Sequence, residues 1–161
     1  MKTPLIDLSN FHLIGLKLDH RTTNKNLKAA VDCGMLWQQF ESEKWFNRIP
    51  GKLDNQIYAV YYDYVGDHTD PFSFLIGCKV AADEKVPEGM SALHIPSNSY
   101  VKYLAKGKMP DCIGEAWAKI WKSASNRLYQ FDFEIYGSDS WDWNNASVEI
   151  YVSSAQTSNK E

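Results

Sequence analysis

Apolar and polar residues alternate along FHLIGLKLDHR (11–21), which is the period of a half-buried strand. Thr22, Thr23 and Asn24 follow and offer helix N-cap oxygens. From Lys25 the period lengthens, and Leu27, Val31, Leu36, Phe40 and Trp45 recur at helical spacing. Gly34 interrupts this pattern, so two helical pieces fit as well as one, and Ile49-Pro50-Gly51 ends it. QIYAVYYDY (56–64) and FSFLIGCKVA (72–81) are β-branched and aromatic runs joined by the turn VGDHTDP (65–71), which predicts a hairpin.

After Pro87-Glu88-Gly89 the order repeats. A strand or strand pair spans SALHIPSNSYVKYLAKG (91–107), and Pro110-Asp111 opens a helix predicted over 112–129. FDFEIY (131–136), the turn GSDSWDWNN and the strand ASVEIYVS (146–153) complete the chain. The repeat lies in the order of elements rather than in residue identity. The expected fold is α+β: duplicated βαββ units, about 8–90 and 91–153, form one antiparallel sheet in a single domain. Both helices then lie on one face with a ligand groove between them. The polar tail 154–161 is expected to fray.

Composition narrows the function. A net charge of −3 argues against the clustered basic face that nucleic acid requires. Lys102, Lys106 and Lys108 read as a solvated strand edge. MKTPLIDLSN has no apolar signal region, and no run approaches the roughly 18 apolar residues of a membrane span. Cys33, Cys78 and Cys112 are odd in number and widely spaced, as expected of reduced thiols in a cytoplasmic protein. The unusual figure is aromatic content: six Trp, nine Tyr and seven Phe suggest either a lined cavity or a ring-heavy core.

Chemistry with a known motif is missing. Asp63, Asp67, His68 and Asp70 gather in one turn but lack calcium-loop spacing, and turn propensity accounts for them. No GxSxG, P-loop, GxGxxG or HExxH occurs, so no cofactor or metal is expected. Trp117 and Trp121 share a helical stripe, and the plainer account is that this stripe is a packing face. Trp37 and Phe40 on the first helix admit the same two readings, and Tyr62 is a further candidate ring.

In FDFEIY, alternation puts Phe131, Phe133 and Ile135 on one face and Asp132, Glu134 and Tyr136 on the other. If that second face is exposed, Glu134 is ordinary. If it faces a groove, burying an unpaired carboxylate costs several kcal/mol, so the group protonates or waits for a cation. Ring faces would add roughly 0.5–2 kcal/mol each for a cation. Apolar walls and one acid make a site for flat, lipophilic cations.

The order of elements, with IPGKLDNQIYAVYYDY, FLIGCKV, VPEGM, KGKMPDCI, AWAKIW and FDFEIY, resembles the GyrI-like effector-binding domain. That domain is the ligand-sensing part of AraC-type and MerR-type regulators such as Rob and BmrR, and it also occurs alone. The resemblance runs from about residue 8 to residue 153. It implies the duplicated βαββ frame, and it places Glu134 where multidrug-binding members carry a glutamate against cationic ligands. The chain most resembles small members carried on integron gene cassettes. No helix-turn-helix precedes the first predicted element, so direct DNA binding is not expected, while a homodimer or a regulator partner stays open. Two other functions compatible with the resemblance are hydrolysis of small electrophilic compounds and a gyrase-type protein interaction.

Overall fold

A computed structural model describes residues 4–124 and 126–155, so most of the polar tail lies outside the described residues. Eight strands form one antiparallel sheet: β1 (Ile6–Leu8), β2 (Phe11–Lys17), β3 (Ile57–Tyr62), β4 (Ser73–Val80), β5 (Ser91–Ile95), β6 (Asn98–Gly107), β7 (Phe131–Tyr136) and β8 (Ala146–Ser153). Their spatial order is β1-β6-β8-β7-β3-β4-β2-β5. The two βαββ units are therefore side by side, as β6-β8-β7 and β3-β4-β2, and they join where β7 pairs with β3.

The outer strands curl the sheet. β1 pairs with β6 and β5 pairs with β2, and the two ladders share one register, with Ile6 facing Tyr100 and Phe11 facing Ile95. At the bend between them the Asn10 N–H donates to Ser97 Oγ at 2.9 Å. The predicted strand pair over 91–107 is thus real, and its halves serve opposite ends of the sheet. Inside the curl, Phe11, Tyr100 and Phe133 meet, with ring centroids 5.5 and 5.2 Å from Phe133. Leu13, Tyr58, Val60, Leu75 and Ile95 complete this inner core. Gly15 opposes Gly77 across β2 and β4, where a Cβ on Gly15 would lie 1.9 Å from the Ile76 carbonyl oxygen, so only glycine permits the approach.

The other face carries the helices α1 (Lys28–Ser42), α2 (Trp45–Arg48) and α3 (Asp111–Ser123). α1 buries Ala29, Leu36 and Phe40, while α3 buries Cys112, Trp117 and Ile120. α1 starts later than the Thr-Thr-Asn signal suggests. A 3-10 turn over Lys25–Leu27 comes first, and Thr23 Oγ1 accepts from Lys25 N–H at 3.3 Å just before it. The helix runs through Gly34, and the break comes at Lys44, whose φ is +58°. α3 stops at Ser123, six residues short of the predicted 129. Ala124 is extended and Asn126 is left-handed, and Arg127 then bridges Ser154 just past the end of β8.

Candidate functional site

On β7 the alternation holds. Phe133 packs inside the curl, whereas Glu134 and Tyr136 face the helices. Glu134 is 1% exposed. Its Oε2 accepts from Trp117 Nε1 at 2.6 Å and from Tyr61 Oη at 2.8 Å, and its Oε1 accepts from Tyr136 Oη at 2.5 Å. A carboxylate offers about four acceptor positions, so three neutral donors leave one unfilled and the charge uncompensated. Burial pushes the Glu134 carboxyl above its ordinary value, and the three hydrogen bonds pull it back only in part. Burial and the Glu134 charge together hold the Tyr61 and Tyr136 hydroxyls well above their usual range, so both remain donors.

The site has an approximate two-fold arrangement. Glu134 faces Ala59 across the β7–β3 seam. Tyr61 lies two residues past Ala59 and Tyr136 two past Glu134, so the two tyrosines flank this pair from opposite sides. Each packs against both the α1 core and the α3 core. The helices repeat a G-x-x-W pattern, Gly34 to Trp37 in α1 and Gly114 to Trp117 in α3. Trp117 bonds Glu134, and Trp37 lies edge-on to Tyr136 with centroids 4.9 Å apart. One acidic residue at the axis breaks the symmetry of four rings.

A second carboxylate follows the same face. Asp132 is fully buried, and it accepts from Ser153 N at 2.7 Å, Ser153 Oγ at 2.9 Å, Tyr64 Oη at 2.7 Å and Arg127 Nη2 at 2.7 Å. Two acids two residues apart are therefore satisfied in opposite ways. Asp132 has the chain's own cation, and Glu134 has none within hydrogen-bonding distance among the described residues.

The structure brings together Glu134, Trp37, Trp117 and Tyr136 of the sequence candidates. Phe40 lies beneath Trp37 in the α1 core, with centroids 6.2 Å apart. Tyr62 points to the opposite side of the sheet and stacks on Phe131. Trp121 stacks on His68 instead of reaching Glu134. Tyr61 was missed, although the parity of β3 distinguishes it from Tyr62 once Ala59 is known to face the helices. Asp132 was placed on the right face, but Arg127 lay inside the predicted helix and gave no sign of pairing with it.

Two of the turn acids are already bonded: Asp63 pairs with Arg21 at 2.9 Å, and Asp67 accepts from Thr69 N at 2.9 Å. Among the described residues no group of three His, Cys, Asp or Glu is placed to hold a metal. No described helix is long and apolar enough to cross a membrane. Surface clefts of about 420 Å³ beside α1 and about 430 Å³ beside Tyr62 and Tyr129 lie apart from Glu134. The carboxylate is closed over by its own rings.

Comparison with known proteins agrees with this architecture. YobU of Bacillus subtilis (strain 168), a transcriptional regulator by name, is 26% identical over 134 residues, covering 81% of each chain. An integron cassette protein from the mobile metagenome of Vibrio cholerae has a structure that superposes with a TM-score of 0.70 at 26% identity, covering 94% of this chain and 95% of that one. The structure of SAV2435 superposes with a TM-score of 0.76 at 16% identity, covering 96% and 94%. Residues 5–153 match the Cass2 family, and the chain belongs to these integron-associated effector binding proteins.

Proposed function

We propose that the groove between α1 and α3 binds lipophilic aromatic cations, with Glu134 as the counter-charge and Tyr61, Tyr136, Trp37 and Trp117 as ring walls. One observation carries this reading: Glu134 is buried among neutral donors, with no cation among its bonding partners in the described residues. A buried carboxylate in that state is costly when charged. A ligand cation removes the cost and gains from the ring faces. Neutral donors keep the carboxylate oriented without neutralising it, so charge compensation is left to the ligand.

The fold-mate SAV2435 was determined with tetraphenylphosphonium bound, a bulky aromatic cation, which supports this choice of ligand class. Because Glu134 is closed over, binding requires the rings to part, and Trp117 is the ring that both covers the carboxylate and sits on a helix at the seam. Titrating tryptophan fluorescence with a cationic and a neutral dye of one ring system tests the reading. Saturable quenching by the cation alone supports it, and equal responses count against it.

A further inference from the structure

Arg127 is 97% shielded, since its side chain is 3% exposed, yet only part of its guanidinium is committed. Nη2 bonds Asp132, whereas Nε and Nη1 are buried without a hydrogen-bond partner among the described residues. Asp132 does not need the remaining donors, because Ser153 and Tyr64 already supply three. Leaving buried N–H groups unpaired is costly unless something else accepts from them. The guanidinium lies 4.2 Å from the Tyr129 ring centroid and 5.8 Å from that of Trp117, and ring faces offset the cost without using the N–H directions.

Trp117 is the link between the two charges. The indole N–H edge holds Glu134, and the same indole presents its face to Arg127. A displacement of Trp117 that opened Glu134 to a ligand would also withdraw one ring face from Arg127, leaving Tyr129 on the other. An acidic and a donor-bearing basic group then stand one indole ring apart.

We infer that the groove selects aromatic cations that also carry a carbonyl or carboxylate oxygen, with the cationic centre at Glu134 and the oxygen accepting from the free N–H groups of Arg127. This rests on the cation reading above and narrows its ligand class. Arg127 is a specificity residue in this account, because a plain lipophilic cation leaves its Nε and Nη1 unsatisfied. A ligand with a suitably placed oxygen satisfies them and keeps the Arg127–Asp132 pair intact. Lysine at this position retains the charge and one bond to Asp132 but lacks the planar set of further donors.

The test compares tetraphenylphosphonium with (4-carboxyphenyl)triphenylphosphonium, which has the same shape and adds one carboxylate. The wild-type protein is expected to bind the carboxylated compound about fivefold more tightly by calorimetry. In Arg127→Lys that affinity ratio is expected to fall to about one. Equal or weaker binding of the carboxylated compound by the wild type overturns the inference, and so does a ratio that survives in Arg127→Lys. If the variant does not fold, the ¹⁵Nε resonance of Arg127 in the wild type replaces it. A shift with the carboxylated compound alone supports the contact, and no difference between the compounds overturns it. Failure of both compounds to bind is a different result, which removes the cation reading itself.

Discussion

Glu134 and Ala59 are direct partners across the seam between the two halves of the sheet. The smallest available side chain opposite the acid leaves the seam's helix-facing surface to the carboxylate and its two flanking tyrosines. Ala59 is fully buried, so Ala59→Leu must push into Tyr61, Tyr136 or the acid itself. Overpacking of this kind costs about 1–3 kcal/mol. Urea unfolding should show that loss, together with weaker binding of a cationic dye. A variant as stable as wild type would mean the seam has spare room.

The general architecture was legible in the chain because its signals are local. Period-2 runs, turn residues between them and two helical stretches fixed the element order. In FDFEIY, alternation also fixed which residues accompany Glu134, and Tyr136 joins it as the pattern requires. Tyr61 and Tyr62 were not separable this way, because IYAVYY is apolar on both faces and buried on both. The end of α3 was misplaced for a related reason: helical spacing continues past Ser123 in the sequence, whereas Arg127 bridges Ser154 and Leu128 N–H donates to the Ser153 carbonyl, tertiary ties that take these residues out of the helix. The ion pair that results is therefore invisible to periodicity. The outer pairings of β1 with β6 and of β5 with β2 join residues about 76 to 94 positions apart, which leaves no local trace.

Breaking the Arg127–Asp132 pair should be damaging. Asp132→Asn leaves the guanidinium buried without its counter-charge. Loss of one partner of a buried pair typically costs about 3–5 kcal/mol. Denaturant titration measures it, and a loss below about 1 kcal/mol would mean solvent reaches the pair, as at exposed ion pairs.

Stability should fall with rising pH because of Glu134. Its folded carboxyl is held above the ordinary value of 4.5, mainly by burial. Between the unfolded and folded values the folded chain keeps a proton that the unfolded chain has released. Stability is then complete below the unfolded value and declines as pH rises through the folded one. Glu134→Gln has no such proton. The stability difference between variant and wild type should move in favour of the variant as pH rises from 4, and parallel stability curves would contradict the raised value.

Gly34 and Gly114 each sit in a helix interior three residues before a tryptophan, and an added Cβ at either would meet nothing within 4 Å. Replacing either by alanine should stabilise the ligand-free protein by about 0.5–1 kcal/mol, through helix propensity and the unfolded state. Thermal melting checks this, and a lower melting temperature would show that glycine is needed for the helix geometry.

The most direct test of the central claim is calorimetric titration of tetraphenylphosphonium into wild type and Glu134→Gln at pH 8, well above the ordinary carboxyl value of 4.5. The glutamine keeps the shape of the side chain and removes the charge, and it also replaces one accepting oxygen with an amide donor. A loss of about tenfold or more in affinity, roughly 1.4 kcal/mol, is the predicted result. Equal affinity for the two proteins would contradict the assignment of Glu134 as the counter-charge.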